Sequence, residues 1–243
     1  GIDFERSSGA WRIVNTTITN SSEDPIDAAR ITGSPTIRST TIHNSTEGGI
    51  EITDSTNDVT IQNTTIAQVE RGIEAYSTTG NWTIEHVSVS NASYRGMSID
   101  HSIGHWTITS STIQNVSGEG LDAYQTDNGL LKNVLIRNID KDVSESDATG
   151  DGINLHESGN WTIENTSIRH TEGHGINAGN GNVTANQIIK NSTISDVNRT
   201  GISFYNTSAD WHINMSKFIT DNIAISADSA TKGNASYNYW NKS

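Results

Sequence analysis

A short unit, glycine–apolar–polar–apolar, returns along the chain about every 24 residues, and that period limits the fold more than any other feature. It stands at Gly49-Ile50-Glu51-Ile52, Gly72-Ile73-Glu74-Ala75, Gly96-Met97-Ser98-Ile99 and Gly120-Leu121-Asp122-Ala123. It returns at Gly152-Ile153-Asn154-Leu155, Gly175-Ile176-Asn177-Ala178 and Gly201-Ile202-Ser203-Phe204, so the successive steps are 23, 24, 24, 32, 23 and 26. Variants at Gly1-Ile2-Asp3-Phe4, Pro25-Ile26-Asp27-Ala28 and Asn222-Ile223-Ala224-Ile225 bring the count to ten copies, covering nearly all 243 residues.

A second column accompanies the first. Apolar residues five apart recur in nine copies, from Ile13/Ile18 and Ile37/Ile42 to Ile189/Ile194 and Ile213/Phe218. Two residues after the first member comes a short polar residue, usually Asn, as at Asn15, Asn63, Asn133, Asn165 and Asn191; His86 and Met215 depart from this. Apolar residues two apart point to one side of a strand, and an Asn between two such stretches suits a bend, because Asn tolerates the left-handed conformation. Three short β-branched segments in about 24 residues cannot bury a face alone, but they can when stacked on an identical neighbour. Helical solenoids need longer repeats with 3.6-residue periodicity, and a leucine-rich repeat needs a Leu ladder that is absent here. The expected fold is therefore an all-β solenoid, a single domain over 1–243 of about ten coils with strands ~4.8 Å apart. The 32-residue step predicts a loop insertion at 138–151, and 226–243 reads as a closing C-terminal coil whose Tyr237, Tyr239 and Trp240 plug the core.

With these columns in place, the chain resembles the right-handed parallel β-helix superfamily of pectate-lyase-like fold, on units such as Gly159-Asn160-Trp161-Thr162-Ile163-Glu164-Asn165. That resemblance implies a single-stranded right-handed helix. It leaves function open among polysaccharide lyases, hydrolases, epimerases, tailspikes and surface proteins. The ending Tyr237-Asn238-Tyr239-Trp240 is similar to the closing coil of archaeal cell-surface β-helix proteins.

Charge narrows the partners. Fifteen Lys and Arg against 28 Asp and Glu leave a net charge of −13, which disfavours nucleic acid and anionic membrane surfaces. No apolar run is long enough to span a bilayer, and the absence of Cys excludes disulfides and thiolate metal sites. The acceptor pattern Asn-x-Ser/Thr occurs sixteen times, whereas 26 Asn and 60 Ser and Thr give about six by chance. The candidates for glycosylation are Asn20, Asn44, Asn81, Asn91, Asn115, Asn160, Asn182, Asn198, Asn206, Asn214 and Asn234. Bend residues Asn15, Asn63, Asn165 and Asn191 are set aside as buried ladder amides.

Outward positions on the strand after each Gly give an acidic and aromatic face that includes Asp3, Asp27, Glu51, Glu74, Asp122, Tyr76, Asp100, Tyr124 and His156. Paired carboxylates there suit glycoside hydrolysis, and Tyr76, Tyr124 and Tyr205 suit sugar stacking. Gly150-Asp151-Gly152 followed by Gly173-His174-Gly175 is similar to the paired segments of polygalacturonase-type hydrolases, which implies Asp151 as acid or base and His174 beside it. The same column, Arg71, Arg95, Glu119, Asp151 and His174, also reads as a structural ladder of charges. Asp122, Asp151, His156 and His174 are thus the enzyme candidates. Asp140, Asp142, Glu145 and Asp147 could offer oxygen ligands to Ca²⁺ but lack EF-hand spacing; otherwise no cofactor is expected.

Three functions remain in play. The leading expectation is an extracellular, N-glycosylated, structural or adhesive cell-surface protein, self-associating through its ends as a head-to-tail filament or surface layer. The alternatives are a polysaccharide-active enzyme (hydrolase, lyase or epimerase) and a non-catalytic carbohydrate-binding module.

Overall fold

The computed structural model describes residues 1–141, 144, 148–179, 186–206, 210–227 and 232–242. Those residues form strands and turns with no helix. The strands stack in three parallel ladders of ten rungs each, so the chain winds round about nine times between its first and last rungs. The first ladder holds the strands after the repeat glycines, such as Ile50–Thr53, Leu121–Tyr124 and Ile153–His156. The second holds strands such as Trp82–Glu85 and Trp106–Thr109. The third holds Thr41–Ser45, Thr112–Ser117 and Ser167–Thr171 among others. Two long strands, Thr65–Tyr76 and Ser88–Asp100, run from the third ladder into the first and join them.

Register follows the sequence columns. Trp82, Ile84 and Glu85 pair with Trp106, Ile108 and Thr109; Ile113 pairs with Ile136, and Ile136 with Ile168. Inward apolar residues therefore sit on copies of themselves, and Ile42, Ile66, Val89, Ile113, Ile136, Ile168 and Ile194 are all buried. The Trp column is part of this core. Trp82 and Trp106 stack with ring centroids 4.7 Å apart, and Trp161 donates from Nε1 to the Thr126 carbonyl at 2.9 Å. At the rung between Trp106 and Trp161 the residue is Gly129, because a Cβ there would lie 2.1 Å from the Trp161 ring.

Each coil turns at three corners, and most corner residues have positive φ. Between the second and third ladders these are Asn15, Ser39, Asn63, His86, Ser110, Asn133, Asn165, Asn191, Met215 and Tyr237, with φ from 49° to 56°. The coil geometry requires the left-handed conformation there; among residues with a Cβ, Asn adopts it at low cost, but His86 and Met215 adopt it too. The next residue points inward: it is a buried hydroxyl at Thr40, Thr64, Ser111, Thr166, Ser192 and Ser216, and a buried valine at Val87 and Val134. The hydroxyls of Ser111, Ser192 and Ser216 tie two coils together. Ser111 donates to the Thr109 carbonyl at 2.8 Å and accepts from the Val87 N–H at 3.1 Å.

Four expectations need correction. The bend asparagines Asn15, Asn63, Asn165 and Asn191 are exposed, because the inward position of the bend is the hydroxyl that follows them. The tenth rung of the first ladder is Ile225–Ala227, with Ile225 opposite Ile202, two residues later than the unit Asn222–Ile225 implies; Ile223 is exposed. Tyr237 and Tyr239 do not plug the core. Tyr239 pairs with outward Lys217 and points out, while Trp240 stacks on Phe218 at 4.6 Å. Finally, the strand Leu135–Asp140 carries the third ladder through Asp140, past the point where the sequence begins the insertion.

Candidate functional site

The outward face of the first ladder gathers the unusual chemistry. Pleating sends alternate residues out, and parallel register stacks them from coil to coil. One row runs Asp3, Asp27, Glu51, Glu74, Ser98, Asp122, Asn154 and Asn177. Two residues along, Tyr76, Asp100, Tyr124 and His156 form a second row. His101, at the left-handed corner after Asp100, places its ring between those of Tyr76 and Tyr124. The ring contacts are all edge-on: Tyr76 to His101 at 5.7 Å, His101 to Tyr124 at 5.0 Å, and Tyr124 to His156 at 4.9 Å. The composition of the row was readable in the sequence. His101 as its missing member was not, because its inclusion depends on the corner.

Asp122 is the most enclosed carboxylate of the first row, with Arg95 and Asn154 against it. It is 8% exposed, 3.2 Å from Arg95 Nε, and accepts a hydrogen bond from Asn154 Nδ2 at 2.9 Å. Burial pushes its carboxyl up to about 6 even though Arg95 pulls it down. The same Arg95 Nε donates to Glu119 at 3.0 Å, and its guanidinium lies 4.3 Å from the centre of the Tyr94 ring. Arg71 lies on that ring as well, at 5.0 Å, and pairs with Glu70 at 3.0 Å and Glu74 at 3.6 Å. Both cations of this region are therefore already matched by carboxylates. Further toward the N-terminus burial and a hydrogen bond with Asp24 push Glu51 up to about 8. Asp100 sits one coil and two residues from Asp122, a diagonal of about 8 Å between backbone positions from strand spacing and rise. Its carboxylate is 2.5 Å from His101 Nδ1.

The other two enzyme candidates lie under the adjoining turn. Asp151 is fully buried, accepting from the His174 N–H at 2.6 Å and from Asn177 Nδ2 at 3.1 Å. Glu119, one coil below, is also buried and accepts from the Thr149 N–H at 2.6 Å. Burial lowers the pKa of His174, whose Nδ1 accepts from the Thr200 N–H at 3.2 Å. Arg95, Glu119, Asp151 and His174 are thus neighbours within a column bonded from coil to coil. The structure brings Asp122, largely buried, and the half-buried His156 onto one outward face and leaves the fully buried Asp151 beneath it.

A family profile described as the right-handed β-helix region matches residues 1–103 and 71–240. The chain belongs to the right-handed β-helix family. No curated protein sequence matches it. Among solved structures, this β-helix is similar to the periplasmic alginate epimerase AlgG, at 10% identity and a TM-score of 0.53 over 100% of this chain and 75% of that one. It is similar to pectate lyase Pel9A at 13% identity and a TM-score of 0.55, over 96% and 69%. The enzymatically active domain of bacteriophage CBA120 tailspike protein 2 matches at 10% identity and a TM-score of 0.50, over 100% and 39%. At these identities the likeness is one of fold.

The remaining candidates spread over other parts of the β-helix. Asp142, Glu145, Asp147 and Asn182 lie outside the described residues. Asp140 lines a groove of about 550 Å³ with His170, Glu172, Asp196 and Asp221, but no group of three or more His, Asp or Glu among the described residues is placed to hold a metal ion. Tyr205 is 62% exposed. Asn20, Asn44, Asn81, Asn91, Asn115, Asn160, Asn198, Asn206 and Asn234 are exposed, and Asn214 is half-buried. None of these asparagines lies in the first-ladder part of a strand; Asn91 sits in the third-ladder part of Ser88–Asp100. Among the described residues no helix is long and apolar enough to cross a membrane.

Proposed function

We propose that this β-helix is an extracellular polysaccharide-active enzyme that hydrolyses a glycan laid along the first-ladder face. The observation that carries the reading is the diagonal pair Asp122 and Asp100, on adjacent coils and beside the row Tyr76, His101, Tyr124 and His156. Inverting glycosidases separate their two carboxyls by ~6.5–9.5 Å, leaving room for a water on the far side of the sugar ring. Asp122, held protonated to about pH 6 by burial, donates its proton to the glycosidic oxygen as that bond breaks. Asp100 takes a proton from the water as its oxygen bonds to the anomeric carbon, so the configuration inverts. The aromatic rings offer apolar surfaces to the sugar.

Hydrolysis fits better than elimination or epimerisation. Those two reactions draw a proton from the carbon next to a uronate carboxylate, and a cation must neutralise that carboxylate. Arg71 and Arg95 are both paired, and the row from Asp3 to Asp122 repels a polyanion. The substrate expected is therefore a neutral polysaccharide, unlike alginate or pectate.

The test is release of reducing ends from a panel of neutral and uronate polysaccharides, with the product anomer read by NMR. Asp122→Asn and Asp100→Asn should each cost about 10²–10⁴-fold. Activity should fall as pH rises through about 6, where Asp122 loses its proton. Turnover unchanged in both variants would overturn the assignment, and saturable binding without product would leave a carbohydrate-binding module. A second reading, a structural cell-surface rod, draws on the column from Arg95 to His174, which spends its polar groups on coil-to-coil bonds. It gains if no glycan is cut or bound.

A further inference from the structure

The excess of Asn-x-Ser/Thr patterns is not absorbed by the proposed hydrolysis, and the structure separates those the fold explains from those it does not. At the bend between the second and third ladders, a hydroxyl stands two residues after most corners and does not depend on Asn: Ser39 is followed by Thr41, His86 by Ser88 and Ser110 by Thr112, whereas Asn133 is followed by Leu135, Met215 by Lys217 and Tyr237 by Tyr239. The strand that begins there favours Thr, so the acceptor pattern arises as a by-product.

The corner between the third and first ladders behaves differently. Its left-handed residues are Asn20, Asn44, Gln68, Asn91, Asn115, Asn138, His170 and Asp196, with φ from 52° to 60°. Two residues on from Asn20, Asn44, Asn91 and Asn115 stand Ser22, Thr46, Ser93 and Ser117. Two residues on from Gln68, His170 and Asp196 stand Glu70, Glu172 and Asn198. Of the five asparagines at this corner only Asn138, followed by Asp140, lacks the hydroxyl. Coil geometry is the same in every case, so it does not call for a hydroxyl here. The hydroxyl accompanies Asn.

We propose that Asn20, Asn44, Asn91 and Asn115 carry N-linked glycans on this edge of the rod. All four side chains are exposed. They form two pairs on adjacent coils, Asn44 Nδ2 donating to Asn20 Oδ1 at 2.6 Å and Asn115 Nδ2 donating to Asn91 Oδ1 at 3.1 Å. An amide nitrogen has two hydrogens. Attachment uses one and leaves the other for the rung, so the linkage is compatible with the ladder. In the transfer, the anomeric carbon of a lipid-phosphate-activated oligosaccharide exchanges its C–O bond for a C–N bond to Nδ2. The phosphate leaves with the electron pair and the amide nitrogen gives up a proton. The edge flanks the first-ladder face without covering it.

The experiment is glycopeptide mapping of the chain isolated from the cell that makes it, with enzymatic glycan release in ¹⁸O-water, so that each occupied Asn becomes labelled Asp. Label is expected on at least one member of each pair, Asn20/Asn44 and Asn91/Asn115, with an intact mass above the 26.3 kDa of the peptide. Four unlabelled peptides would overturn the proposal, even if bend asparagines such as Asn63 were occupied. Ser22→Ala, Ser93→Ala and Ser117→Ala keep the corner Asn and its rung. Each should abolish label at its own site alone while the circular dichroism spectrum stays unchanged, and label that persists in these variants would equally overturn it.

Discussion

The inside of the second ladder and the outside of the first are built on the same coils, yet they follow opposite rules. Inside, the central column is answered by itself or a near relative one coil away, as Ile61 by Ile84, Ile84 by Ile108 and Ile108 by Leu131, while the Trp column beside it fits large against large or large against small, as Trp82 with Trp106 and Trp106 with Gly129. Outside, the residue changes from rung to rung through the middle of the rod: Glu74, Ser98, Asp122, then Asn154. Repetition inside has a simple cause, since each coil is the floor of the next and like shapes pack best on like. Nothing in the packing asks for variation outside. The difference locates chemistry where the repeat is broken, and it can be tested by disturbing each side in turn.

The largest effect should come from the repeated side. Trp106 is buried against Trp82, and Trp106→Ala should cost about 3–5 kcal/mol in chemical denaturation. Thr107 points the other way on the same strand, and Thr107→Ala should stay within about 0.5 kcal/mol. Solenoid stability is close to a sum over neighbouring coils, so hydrogen exchange in the Trp106 variant should rise most in the coils on either side. A uniform rise along the rod would show that the coils do not act as nearest neighbours.

The varied side should respond to pH. The folded-state pKa of Asp122 is raised from 3.8 to about 6, so between those values the folded chain keeps a proton that the unfolded chain has released. That contribution is present below pH 4 and is lost as pH rises through about 6. Two pKa units correspond to about 3 kcal/mol. Asp122→Asn mimics the neutral acid and leaves Arg95 on Glu119, so its stability relative to the parent should improve from pH 4 to pH 7. His174, with a lowered pKa, acts in the opposite sense below its ordinary value of 6.5 and is common to both proteins. A parallel pair of curves would mean that Asp122 is solvated after all.

The two sides also differ in how far they could be read from sequence. Period, columns and inward residues were legible because a stacked coil repeats its apolar pattern, and Ile84 and Ile108 are register partners as that pattern requires. The outward rows were legible as lists, since alternation fixes which residues face out. Which of them meet was not. The pairing of Arg95 with both Glu119 and Asp122 depends on side-chain direction at a turn, and His101 joins Tyr76 and Tyr124 through a corner. The burial of the bend was misjudged for a similar reason, because a left-handed residue turns its side chain away from the alternation that precedes it.

That same bend supplies the smallest test. Asn133 has φ of 56° and accepts a hydrogen bond from Asn165 Nδ2 at 3.3 Å. Asn133→Ala and Asn133→Gly lose that bond equally, so the difference between them isolates the backbone. A left-handed conformation costs an L-residue such as Ala about 1–2 kcal/mol, whereas Gly adopts it freely. The Gly variant should therefore be the more stable of the two by about 1 kcal/mol, with fluorescence of the buried Trp column unchanged. His86 and Met215 hold the same φ without being Asn or Gly, which shows that the stacked coils impose the corner on whatever residue stands there. His86→Asn should then stabilise the chain slightly, and Met215→Asn likewise. If Ala and Gly at 133 proved equal, the corner would be set by its neighbours so firmly that the residue's own preference no longer counts.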